Sequence, residues 1–87
     1  MHEQSLIQAL VRQLEEVAAA ESATRITGVR VWCGALSHFT PRHFSEHFER
    51  AAVGTIAEGA ELTVKVSGDL THPDASGLRL ESVEVES

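Results

Sequence analysis

The chain has 87 residues, 43% of them hydrophobic, with 7 basic against 13 acidic side chains and a formal charge of −6. That apolar content supports one small packed domain, 1–87, rather than a disordered chain. The acidic balance, with no cluster of Lys or Arg, argues against a nucleic-acid binder, and no stretch approaches the roughly 18 apolar residues of a membrane span.

A single cysteine, Cys33, excludes an internal disulfide and a thiolate zinc site built from Cys-x-x-Cys pairs. One unpaired thiol, and the lack of a basic-then-apolar leader, are expected of a cytoplasmic protein.

The chain opens with Met1-His2-Glu3. A terminal amine, the His2 backbone nitrogen and the His2 imidazole lie within one dipeptide, and the Glu3 backbone nitrogen can close a plane around an ion. Planar, nitrogen-rich donor sets suit Ni(II) or Cu(II), whereas zinc prefers a tetrahedron. Taken alone, a histidine beside a leading methionine is more often a solvated terminus.

Residues 3–21 are predicted to form an amphipathic helix, with Leu6, Ile7, Leu10, Leu14, Val17 and Ala18 on the apolar stripe. Docking that stripe on a core holds the tripeptide in place instead of leaving it frayed. Ile26 to Cys33 alternates as a strand, with Val29, Val31 and Cys33 on one face and Arg30 and Trp32 on the other. Cys33 is expected as a small core hydrophobe. Trp32 either covers the far sheet face or waits for a partner.

Thr40 is the predicted N-cap of a second helix, with Pro41 at its first position, an apolar stripe of Phe44, Phe48 and Ala52, and Gly54 as its stop. Three histidines crowd this region: His38, His43 and His47. His43 and His47 share a helical face with Glu46, in the H-x-x-E-H order of inverted zinc proteases. A solvated face is the simpler account, because so short a chain leaves little room for a cleft and a further ligand. The pair still has the spacing of a chelate.

Glu61 to Val66 alternates as a strand. Residues 67–77 are polar and turn-rich, with His72-Pro73-Asp74 read as a turn. Leu78 to Val85 is a last strand whose apolar phase changes, which predicts a bulge near Glu81-Ser82. The expected architecture is α+β in the order α-β-α-β-β: a small three-stranded, mainly antiparallel sheet, both helices on one face, and a hairpin formed by the last two strands.

Met1-His2-Glu3 before an amphipathic helix, Val29-Arg30-Val31, Gly34-Ala35-Leu36-Ser37, the run Gly54 to Leu62 and the closing Leu80 to Glu86 together resemble the HypA/HybF family of nickel-delivery proteins for hydrogenase maturation. The resemblance implies a metallochaperone, not an enzyme. It implies Ni(II) held by the Met1 amine, the backbone nitrogens of His2 and Glu3, and the His2 imidazole, with Glu3 also supporting the site. His38 is an extra ligand or a neighbour of the ligands under the same reading.

Implied partners are a HypB-like GTPase and the large subunit of a nickel enzyme; a homodimer stays open. The family's zinc-binding insert, with two Cys-x-x-Cys pairs between the last two strands, is replaced here by the cysteine-free loop 67–77, so no structural zinc is expected. The alternative is a HypA-like protein-interaction or assembly subunit that has lost metal delivery and uses Trp32 as its contact.

Overall fold

In a computed structural model, residues 3–35, 40–73 and 75–87 are described, Glu3 by its backbone alone. The elements are α1 (Glu3–Ala20), β1 (Arg25–Cys33), α2 (Pro41–Ala52), β2 (Glu61–Val66) and β3 (Leu78–Glu86). The α+β class and the element order are as the sequence predicts. Both helices pack on one sheet face, where Ile7, Leu10, Val11, Leu14 and Ala18 meet Phe44, Phe48 and Ala52 over Ile26, Val29 and Val31. Val11 was not on the predicted stripe, whereas Leu6 and Val17 were and are only half-buried.

The sheet runs β2-β1-β3. β1 takes the centre because it is apolar on both faces: seven of its nine residues are buried or nearly so, while the flanking strands expose Glu61, Thr63 and Lys65 on one side and Arg79, Glu81 and Glu84 on the other. Charged edges of this kind discourage further strand pairing. β1 pairs with β2 in parallel and with β3 antiparallel, so the sheet is mixed rather than mainly antiparallel. The parallel pairing follows from α2, which carries the chain back across the sheet between the two strands.

The hairpin expected between the last two strands does not form. β2 and β3 flank β1, about 10 Å apart at two strand spacings, and residues 67–77 cross over the end of the central strand. Ser67 donates its N–H to the Cys33 carbonyl at 2.8 Å, and Gly34 donates to the Gly77 carbonyl at 2.9 Å, so the crossover is stitched to β1 at both feet. A strand whose two edges both need partners outweighs the short local connection.

The bulge near Glu81 is present. Arg30 pairs with Ser82 and Val31 with Leu80, leaving Glu81 over. A second, unforeseen irregularity leaves Thr27 over between the pairs Ile26↔Val85 and Gly28↔Glu84. Its effect is concrete: Ile26 and Val29, three apart, would face opposite ways in a regular strand, yet both are buried in the same core.

The helix ends follow side-chain chemistry. Thr40 caps α2, its hydroxyl accepting from the His43 N–H at 3.4 Å, and Gly54 beyond the C-terminus takes φ +79°, which only glycine adopts without strain. α1 ends differently. Ser22 takes φ 52°, while Ala23 donates to the Ala18 carbonyl at 2.9 Å and Ser22 to the Ala19 carbonyl at 3.2 Å. That is a Schellman closure with serine where glycine is usual, made worthwhile by Ala23 packing onto the core.

Candidate functional site

Met1, His2, the Glu3 side chain and His38 lie outside the described residues. What the structure does describe is the helix start that follows the tripeptide. α1 begins at Glu3, and Ile7 and Leu10 are buried one and two turns in, at 2% and 3% exposure. The first N–H groups of any helix lack intrahelical acceptors, and the partial positive charge gathered there favours anionic neighbours. A backbone nitrogen that must lose its proton to bind a metal gains from that position.

Opposite this turn stands the C-terminal half of α2. Gln4, Ile7 and Gln8 of α1, with His47, Arg50 and Ala51 of α2, line an open cleft of about 360 Å³. Sequence reading had noticed His47 only as part of a helical pair; it missed that this residue faces the start of α1. A signal was available, since His47 directly precedes Phe48, a buried residue, and so lies at the margin of the apolar stripe rather than opposite it.

His43 and His47 do meet on one face, with ring centroids 4.4 Å apart and planes tilted by 50°. Glu46 instead pairs with Arg42 at 3.5 Å, a solvent-facing bridge of small energetic weight. Among the described residues no three His, Cys, Asp or Glu side chains converge as a metal-holding group. The protease-like reading of His43, Glu46 and His47 therefore gains nothing from the fold.

Trp32 resolves towards cover. It is 7% exposed, its ring lying 4.8 Å from that of His72, with the Arg79 guanidinium carbon 4.8 Å from its centroid. Arg79 is its ladder neighbour on β3, and His72 arrives from the crossover. The described residues thus present no bare tryptophan to a partner on that face. Cys33 is fully buried, in keeping with a packing role. No helix among the described residues is long and apolar enough to cross a membrane.

The crossover has its own internal order. Asp69 accepts from the Thr71 N–H at 2.9 Å and from the Thr71 hydroxyl at 2.7 Å. The Thr71 hydroxyl bond, then the Thr71 amide bond, hold the Asp69 carboxyl below its ordinary pKa, with a smaller contribution from the charge of His72. Ala75 donates to the His72 carbonyl at 3.0 Å across the stretch His72-Pro73-Asp74 read as a turn, of which Asp74 lies outside the described residues.

Comparison with known proteins supplies the remaining constraint. A family model described as HypA, hydrogenase/urease nickel incorporation, metallochaperone, matches residues 1–72. The hydrogenase maturation factor HypA of Archaeoglobus fulgidus is 39% identical over 66 residues, covering 76% of this chain and 60% of that protein. HypA of Chlorobium limicola is 35% identical over 79 residues, covering 91% and 68%. HybF of Salmonella typhimurium is 39% identical over 64 residues, covering 74% and 57%. The chain thus spans between about half and two thirds of the length of these curated relatives. The solution structure of the nickel metallochaperone HypA from Helicobacter pylori has the same fold, with a TM-score of 0.84 at 22% identity, over 100% of this chain and 99% of that one.

Proposed function

This chain belongs to the HypA family of hydrogenase and urease nickel-incorporation proteins, and we propose on that premise that it is a nickel metallochaperone that carries Ni(II) at its N-terminus. The observation that carries the reading is a family match that includes the Met1-His2-Glu3 tripeptide. The ion is held by the Met1 amine, the backbone nitrogens of His2 and Glu3, and the His2 imidazole. Glu3 supports the set from its side chain, and His38 is a further donor or a hydrogen-bonding neighbour.

Two features of the chain favour this arrangement. The buried Ile7 and Leu10 fix the helix that begins at Glu3, so the tripeptide leads straight into a rigid element. The electropositive helix start stabilises deprotonated backbone nitrogens, which are what a square-planar nickel centre takes up. Ligation displaces protons from amides and competes with protons at the amine, whose reference pKa is about 7.7–8.0, so nickel affinity rises with pH through neutrality.

The chemistry is capture and release, not catalysis. A site at a chain end can be peeled open by a partner, ligand by ligand. By family likeness the partners are a HypB-like GTPase and the large subunit of a hydrogenase or another nickel enzyme. On the same family likeness, residues 67–77 stand where the family carries its zinc-binding insert; they contain no cysteine, and within them Asp69 accepts two hydrogen bonds from Thr71.

Titration of nickel into untagged protein tests the reading. A square-planar absorption band is expected, abolished in His2→Ala and in protein carrying a histidine-free tag ahead of Met1. Native protein without such a band, or a band indifferent to both changes, overturns it.

A further inference from the structure

We propose that His43 and His47 form a second binding site for a divalent transition-metal ion, with His43 exposed and His47 half-buried at the edge of the α1–α2 cleft, distinct from the terminal chelate. The two imidazoles stand four residues apart, and their ring centroids are only 4.4 Å from one another. Metal–imidazole bonds of about 2.0–2.1 Å require two cis nitrogens about 3 Å apart. The terminal torsion of histidine is broad, so two tilted rings this close on one helical face have the freedom to turn their nitrogens towards a common ion. Two histidines at this helical spacing are the arrangement by which helices hold zinc-class ions.

The scaffold under the pair is rigid. Each histidine directly precedes a core phenylalanine, Phe44 at 0% exposure and Phe48 at 1%. The main chain at both ligands is therefore fixed by packing before an ion arrives, and little ordering remains for binding to impose. Imidazole donors suit Ni(II), Cu(II) and Zn(II) alike.

The site is weak by construction. No third His, Cys, Asp or Glu of the described residues completes it, and Glu46 is turned towards Arg42. Water fills the remaining positions, so the ion exchanges readily. That is the character of a transit site, not a structural one.

Its place in the fold suggests what the transit serves. His47 lines the same cleft as Gln4 and Gln8, and Gln4 follows the terminal tripeptide directly. An ion on the pair therefore waits beside the start of α1, where it can load the terminal chelate or accept an ion from it. The existence of the site is independent of the terminal reading; only this loading role rests on it.

Nickel titration of the full chain carrying His2→Ala isolates the pair. One ion per chain is expected, with broadening of the His43 and His47 imidazole signals by paramagnetic nickel in NMR spectra. Adding His43→Ala, or separately His47→Gln, weakens binding by about tenfold or more, while Glu46→Gln leaves it unchanged. Circular dichroism of each variant checks that α2 is intact.

Failure of the His2→Ala protein to bind nickel overturns the second site. So does binding that ignores His43→Ala and His47→Gln, or that disappears in Glu46→Gln. The two readings fail separately: the pair is wrong if His2→Ala removes all nickel, and the terminus is wrong if His43→Ala and His47→Gln do so in native protein.

Discussion

The two faces of β1 are buried by different means. Towards the helices, Val29 and Val31 lie in a continuous core to which two helices, all three strands and the 54–60 loop contribute. Towards the other side, one large ring, Trp32, is covered by His72 from the crossover and Arg79 from β3. The first face is redundant, with many apolar side chains sharing the burial. The second depends on a few contacts between a ring and polar groups, so it is a satellite of the fold rather than its foundation.

Phe44→Ala is expected to break the comparison at its stronger side. Loss of a fully buried phenylalanine costs about 3–5 kcal/mol, comparable with the whole stability of many small domains. Urea titration should show either an unfolded chain or a transition at far lower denaturant. Trp32→Ala comes next, at about 2–3 kcal/mol, below the full range for core aromatics because its far side is only thinly covered. Far-UV circular dichroism should remain native, while amide exchange in 67–77 accelerates. Exchange that stays slow there would show that the crossover does not rely on Trp32.

Arg79→Gln sharpens the account of the second face. It removes the cation above the indole but keeps a side chain of similar reach, and should cost about 0.5–1 kcal/mol. Because the contact is electrostatic, added salt should narrow the gap between variant and parent.

The smallest effect concerns Asp69. Its folded-state pKa is lowered, so its stabilising bonds to Thr71 are fully present above the ordinary carboxylate range. They are lost as pH falls through the depressed value. NMR titration should find the Asp69 midpoint below that of a free aspartate, about 3.9, and Thr71→Val should return it towards that value. An unchanged midpoint in that variant would assign the shift elsewhere.

Most of what local chemistry can encode was readable along the chain. Thr40-Pro41 announces the start of α2 because a hydroxyl cap and a proline suit positions whose N–H groups have no helical acceptor. The phase change after Leu80 announces the bulge at Glu81, because side chains alternate strictly along a strand. The tripeptide's donor set and the family strings were equally plain, since they depend on residue identity and order alone.

Other features were settled only when the chain closed on itself. That β3 pairs with β1 and not with β2 follows from the central strand needing two partners, a demand that no short window displays. The bulge at Thr27 exists because Ile26 and Val29 must reach one core. Trp32 is cover and not contact because a crossover brings His72 to it from forty residues away. His47 faces the first turn of α1 because Phe44 and Phe48 dock on the same core as Ile7 and Leu10. Sequence set the local geometry and the chemistry of each group; burial, which is shared among distant segments, decided which groups meet.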